Sequence, residues 1–455
     1  MKSTNPITGA TVWTGVEASA ADVSDAVSKA REAFHTFSLT PVSDRIAMME
    51  RWAEAVTVRK EEIARAISDE IGKPMWEART EAGAMAAKVA HSIKAQAERA
   101  GSSETDAMSL NHRPHGVMAV FGPFNFPGHL PNGHIVPAFL AGNTVVFKPS
   151  ELAPSLGDIF VELGQAAGLP EGVLNIVQGG RETGAALLDA DINGLLFTGS
   201  AATGTFFHKH FAGRPNVILA LEMGGNNPLI IHDAQDVKAA ADIATVSAFI
   251  SAGQRCSCAR RLILPTGPFG DAVLELIQER IADMRIGVPD EDVFIGSVVS
   301  EDAAIAAVEF ETELRESGGH SLVALQRNGA FLRPGLMDVT HAQAPDEEIF
   351  APFLQVYRVD DIDAQIAQAN ETRFGLAAGL VSDNSALWDY ARPRLRAGIV
   401  NWNKPTTGAA SSMPFGGPGL SGNFRPGAYY AADYCAWPQA SQIGTAPVSP
   451  ILPNF

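Results

Sequence analysis

The residue types best suited to covalent chemistry lie in three short segments. SAGQRCSCARRL (251–262) sets Cys256 just past a helical stretch, with Gln254 before it and two arginines downstream. A thiolate is a strong nucleophile near neutral pH once a neighbouring charge lowers the thiol pKa, and Arg255 is the adjacent source of that charge. Taken alone, a single cysteine reads more readily as a buried core residue. Cys256-X-Cys258 has no second cysteine pair or nearby histidine to complete a metal site. LALEMGGNNPLII (219–231) puts Glu222 at the end of a strand, before a Gly-Gly turn. A carboxylate there can act as general base towards water, or simply end the strand. FGPFNFPGHLP (121–131) holds Asn125 in a Gly/Pro-constrained loop. Its amide can donate to a developing oxyanion, or serve only the turn.

Other segments suit a dinucleotide. FTGSAATG (197–204) is a Gly turn between a strand and a helix, and free backbone N–H groups at a helix start suit a pyrophosphate. It is not the G-x-G-x-x-G pattern. In KPSE (148–151), Lys148 and Glu151 can hydrogen-bond a ribose, or form an ordinary surface pair. EEIFAPF (347–353) offers Glu348 and Phe350 ahead of a strand, and PFGGPGLSG (414–422) adds a Gly-rich loop.

These segments need elements to hold them. From residue 116, β-rich runs alternate with helical patterns: strands at 116–121, 143–148, 173–178, 194–199 and 216–222, with helices ending near 140 and at 155–167, 181–189 and 202–211. Five strands with four helical crossovers predict a parallel, doubly wound sheet that binds ligands at its carboxyl ends. A second α/β run follows. Its strands are expected at 261–265, 353–359, 377–382 and 398–403, and its helices at 236–250, 268–284, 302–317, 361–370 and 385–395. The first hundred residues read as helices at 21–38, 42–71 and 75–99 after an extended lead-in over Met1–Gly15. The last thirty residues read as a loop and an extended tail.

Composition narrows the classes further. The chain has 455 residues and a net charge of −17, which argues against nucleic-acid or anionic-membrane partners. Three cysteines are too few for a disulfide framework and suit a reducing cytosol, so a cytoplasmic location is expected. No signal-peptide pattern or membrane span is evident.

Taken together and in order, these segments resemble the aldehyde dehydrogenase superfamily over nearly the whole chain. Each motif is weak alone, but the ordered set is specific, and Glu222 stands thirty-four residues ahead of Cys256 as the family's base stands ahead of its nucleophile. The resemblance implies a Rossmann-type cofactor domain, an α/β catalytic domain and a small oligomerisation hairpin and tail. The expected boundaries are 1–94 and 116–223 for the cofactor domain, 224–422 for the catalytic domain, and 95–115 and 423–455 for oligomerisation. It implies Cys256 as nucleophile, Glu222 as general base, and Asn125 as oxyanion donor together with the Cys256 backbone N–H. It places Lys148 and Glu151 at the adenosine ribose, and Gly199, Ser200, Ala201, Ala202, Thr203 and Gly204 at the pyrophosphate. Glu348 and Phe350 fall at the nicotinamide ribose and ring. A carboxylate at Glu151 disfavours a 2′-phosphate, so NAD is the expected cofactor.

Within that family, LEMGGNNPLII, GQRCSCARRL and the stretch NWNKPTTGAAS…RPGAYYAADYCAWP are similar to the members that oxidise N-succinyl-L-glutamate 5-semialdehyde in arginine catabolism. That substrate carries two carboxylates, and Arg255, Arg261, Lys404 and Arg425 are candidates to bind them. A homodimer or homotetramer, no metal and no partner beyond the small-molecule aldehyde are expected. One departure is expected: the sequence opens on MKSTNPITG, without the N-terminal strand pair usual in the family. The competing readings are a dehydrogenase for another semialdehyde, a cofactor-free esterase using the same cysteine, an acyl-phosphate reductase and an inactive scaffold.

Overall fold

Two parallel sheets alternating with helices dominate the computed structural model, which describes residues 1–450. The first has five strands in the spatial order Leu174–Ile176, Thr144–Lys148, Val117–Phe121, Gly194–Gly199, Ile218–Met223, all parallel. Runs such as VMAVF and TVVFK are apolar on both faces because helices cover both sides of the sheet. The strand order reverses between Val117–Phe121 and Gly194–Gly199. Crossovers diverge there and leave a crevice at the carboxyl ends.

The second sheet has seven strands: His320–Val323, Gly335–Asp338, Phe353–Arg358, Ala259–Leu264, Asn227–Ile231, Ala377–Val381 and Ile399–Trp402, in that spatial order. All pairings are parallel except that of the edge strand His320–Val323. Three of these strands were not anticipated. Asn227–Ile231 carries Pro228, a residue that normally argues against a central strand. It is tolerated because the register shifts between Asn227 and Pro228. Gly335–Asp338 and His320–Val323 are only four residues long, too short for a periodic signal.

The expected helix at 42–71 is two helices, Val42–Val58 and Lys60–Ile71, broken at Arg59 with ψ 15°. No Gly or Pro marks that break. The N-terminal lead-in is an antiparallel strand pair, Lys2–Thr4 with Thr11–Thr14, flanking the NPITG turn. The helix Met75–Arg99 continues unbroken across residue 95. Beyond it, Met108–Pro114 pairs along its whole length with Ala436–Gln442, and Ser103–Glu104 adds a third strand. Tyr434 and Cys435, just before that tail strand, pack into the same core as Trp52 and Phe139. Among the described residues no helix is long and apolar enough to cross a membrane.

Candidate active site

Glu222 lies near the end of Ile218–Met223, the edge strand of the five-stranded sheet, and is 5% exposed. Its Oε1 accepts the backbone N–H of Gly427 at 2.5 Å, while Oε2 is buried without a partner among the described residues. Burial pushes its pKa up to about 8, against which the single Gly427 hydrogen bond pulls only partly. Asn125 sits in the loop after Val117–Phe121, also buried. Its amide nitrogen donates to the Gln254 carbonyl at 2.9 Å. An amide carries two hydrogens, so one N–H of Asn125 is left for another acceptor.

Cys256 is delivered by an unusual backbone. After the helix Val237–Phe249, Ser251, Ala252 and Gly253 adopt left-handed φ values of 58°, 51° and 72°. For Ser and Ala such geometry costs energy and persists only where the surroundings hold it. Here the Ser251 hydroxyl is gripped by Glu77, Arg255 Nε donates to Ser251 Oγ at 2.6 Å, and Asn125 and Gln254 tie the loop from the other side. A methyl on Gly253 would lie 2.1 Å from the Ala351 carbonyl, so the loop also closes on the segment that leads into the strand Phe353–Arg358. Asn227 Nδ2 donates to the carbonyls of Cys256 and Cys258 at 2.7 and 2.8 Å.

The electrostatics differ from the expectation at one point. Arg255 forms an ion pair with Glu77 at 2.9 Å and is not the charge that acts on the thiol. Burial drives the Cys256 pKa strongly upward, and the Glu348 and Glu222 carboxylates push it the same way. Arg260 alone opposes them. It is held within the wall by the carbonyls of Gly253 and Ala351.

Two cavities meet at Cys256, and Thr198, Glu222 and Phe415 line both of them. The larger, about 830 Å³, runs to Lys148 and Glu151, with Asn125, Glu348 and Phe350 along it. Gly199, Ser200, Ala202 and Thr203 line it at the start of the helix Ala201–His210. Ala201 and Gly204 do not: Ala201 packs against the core beneath, and a methyl on Gly204 would lie 2.2 Å from Met223 Sδ. Lys148 is buried and stands 3.6 Å from the exposed Glu151. Glu348 Oε1 accepts from Gly225 N at 3.2 Å, and its pKa is raised to about 7 by burial. A methyl on Gly224 would lie 1.7 Å from Glu348 Oε2, so a side chain there would push the Glu348 carboxylate aside. Phe350 packs edge-on against Phe124 with ring centroids 5.8 Å apart. Arg181 and Phe124 also line this cavity and were not anticipated.

The smaller cavity, about 310 Å³, lies on the far side of Cys256. Thr407, Ala409, Ala410 and Ser411, from the NKPTTGAAS stretch, form part of its wall. Of the four cations expected to meet substrate, only Arg255 lines it. Arg261 is buried in the strand Ala259–Leu264 and spends its guanidinium on the carbonyls of Asn226, Gln368, Ala369 and Glu371. Lys404 and Arg425 are exposed and line neither cavity. A different cation, Lys88, lines the smaller one. Its signal was present: it falls on the stripe of the helix Met75–Arg99 that includes Met85, Val89 and Ser92, all buried.

Comparison with known proteins finds relatives along nearly the whole chain. A match to the Aldehyde dehydrogenase family covers residues 1–439. N-succinylglutamate 5-semialdehyde dehydrogenase 2 of Caulobacter vibrioides is 54% identical over 453 residues, covering 97% of this chain and 93% of that protein. The crystal structure of an NAD-dependent aldehyde dehydrogenase from Sinorhizobium meliloti superposes with a TM-score of 0.93 at 29% identity, covering 99% of this chain and 92% of that one. An indole-3-acetaldehyde dehydrogenase complexed with NAD⁺ superposes with a TM-score of 0.92 at 28% identity, covering 97% and 93%.

Proposed function

The chain belongs to the aldehyde dehydrogenase family, and from that premise we propose that it oxidises a semialdehyde to a carboxylate through a covalent intermediate on Cys256, with NAD as oxidant. The substrate we assign is N-succinyl-L-glutamate 5-semialdehyde, the compound in the name of the Caulobacter relative. The observation that carries the reading is convergence: Cys256 and Glu222 line both cavities, and Asn125 joins them on the larger.

The larger cavity fits NAD. Its volume of about 830 Å³ lies within the range of about 300–1,000 Å³ usual for cofactor and ligand sites. The helix beginning at Ala201 offers first-turn amides to a pyrophosphate, with Ser200 capping Thr203 N. Lys148 and Glu151 would hold the adenosine ribose, and the Glu151 carboxylate disfavours a 2′-phosphate. Glu348 and Phe350 would hold the nicotinamide ribose and ring. When bound, NAD supplies a hydride acceptor and a positive charge beside a thiol that Arg260 alone lowers.

Cys256 gives up its thiol proton to water, the thiolate Sγ attacks the aldehyde carbon, and the carbonyl oxygen takes the negative charge. The free N–H of Asn125 and the Cys256 backbone N–H stabilise that oxyanion. Loss of hydride from the same carbon leaves a thioester on Sγ. Glu222 Oε2, buried without a partner, then removes a proton from water as its oxygen attacks the thioester. The C–S bond breaks, the carboxylic acid leaves as its anion, and the cysteine is regenerated. The test is NADH production across a panel of semialdehydes. The N-succinylglutamate semialdehyde should show the highest kcat/KM, and a better substrate elsewhere in the panel would overturn the assignment.

A further inference from the structure

Resting on that reading of the site, we propose that Lys88 binds a carboxylate of the substrate and so sets the preference of the smaller cavity for anionic aldehydes. Lys88 comes from the helix Met75–Arg99, is 2% exposed and lines the cavity beside His129, His134 and Gly133. Its Nζ is buried with no hydrogen-bond partner among the described residues. An unpaired ammonium away from water is costly, and proteins retain one where something else completes it.

The other charged groups on this cavity are already matched. Arg255 pairs with Glu77 at 2.9 Å. Glu81 pairs with Lys73 at 2.8 Å and accepts the backbone N–H groups of Gly128 and His129. Burial and the nearby Lys88 push the pKa of His129 down to about 4 and that of His134 to about 3, so both rings are neutral at pH 7. Glu222 is held largely protonated at that pH by its burial. Lys88 is therefore the cation on this wall without a protein counter-ion. Burial lowers its pKa to about 8, which still leaves it mostly charged at neutral pH. A carboxylate placed on Nζ would restore both the missing hydrogen bond and the missing counter-charge.

The test compares Lys88→Met with the unaltered enzyme, using saturating NAD and two aldehydes of one shape: the N-succinylglutamate semialdehyde and its neutral diamide. Loss of a charge-assisted hydrogen bond should lower kcat/KM for the diacid about 10- to 100-fold, mainly through KM, and change the diamide less than about threefold. Lys88→Arg should restore much of the diacid preference. Equal losses on both aldehydes, or an unchanged ratio, would overturn the proposal. Should Lys88→Met lower the melting temperature too far to assay, Lys88→Gln keeps a polar head without the charge and reads the same ratio. The substrate assignment fails separately. If the unaltered enzyme prefers another anionic semialdehyde, Lys88 is tested on that compound and its amide. If it prefers neutral aldehydes, both ideas fall.

Discussion

Glu222→Gln separates the two half-reactions. The side chain keeps its size and loses its proton-accepting oxygen. The oxidative half should survive, because the Glu222 carboxylate pushes the Cys256 thiol pKa upward and its removal does not hinder the thiol. Hydrolysis should fall, and loss of a general base costs about 10²- to 10⁴-fold. The raised pKa gives the hydrolytic half its pH profile. With a midpoint of about 8, roughly one Glu222 in eleven is ionised at pH 7 and ten in eleven at pH 9, so hydrolysis should rise about tenfold over that span. Stopped-flow absorbance of NADH reads the oxidative step as a burst, and rapid acid quench with intact-mass detection reads decay of the acyl-enzyme. The variant should show a burst of one NADH per site, a very slow decay and no ionisation near pH 8. A decay within threefold of the parent, or an ionisation near 8 that persists, would refute the role. The same substitution has a stability signature. The folded chain keeps the Glu222 proton up to pH about 8, while an unfolded chain releases it near 4.5. Between those values the folded state binds more protons, so stability falls as pH rises. The penalty reaches about 5 kcal/mol by pH 8 at 1.36 kcal/mol per pKa unit. Glu222→Gln should therefore raise the melting temperature at pH 8 more than at pH 5.

Asn125→Ala should lower kcat about 10²- to 10³-fold with little change in NAD affinity, as loss of one oxyanion donor does; an unchanged burst rate would contradict its role. Glu151→Gln should narrow the ratio of kcat/KM for NAD over NADP, because a neutral amide no longer repels a 2′-phosphate; an unaltered ratio would move the discrimination to another group on that wall, such as Arg181. In solution the chain should run as a homodimer or homotetramer by light scattering. The strand Ala436–Gln442 is exposed along 437–442, as are Met108 and Leu110 on the strand it pairs with. Truncation after Ala436 should yield monomer, and a monomeric parent chain would contradict the expectation.

Much of this was readable from residues alone, and the failures have physical causes. The five-stranded sheet was legible because its strands are apolar runs punctuated by Gly and Asn, and strands buried on both faces carry their signal in sequence. Met108–Pro114 and Ala436–Gln442 were expected only through the family resemblance, because they are half-buried or exposed and pair through backbone groups. Asn125, Glu222 and Cys256 were found as an ordered set, but their electrostatics were not. Arg255 is next to Cys256 in sequence, yet its charge goes to Glu77, which is far away in the chain and close in space. Arg260, four residues on, acts on the thiol instead. Arg261 looked free and is consumed by four backbone carbonyls. Which cation keeps an unspent charge depends on tertiary partners, and so Lys88 emerged only from the fold.

The central claim is that the substrate becomes covalently bound to Cys256. Its most direct measurement is a peptide mass map of enzyme quenched in acid during turnover with NAD and the N-succinylglutamate semialdehyde. The account predicts one acyl group per chain, on the peptide containing Cys256, and no NADH from Cys256→Ala. An acyl group on another residue, or Cys256→Ala turning over at the parent rate, would contradict it.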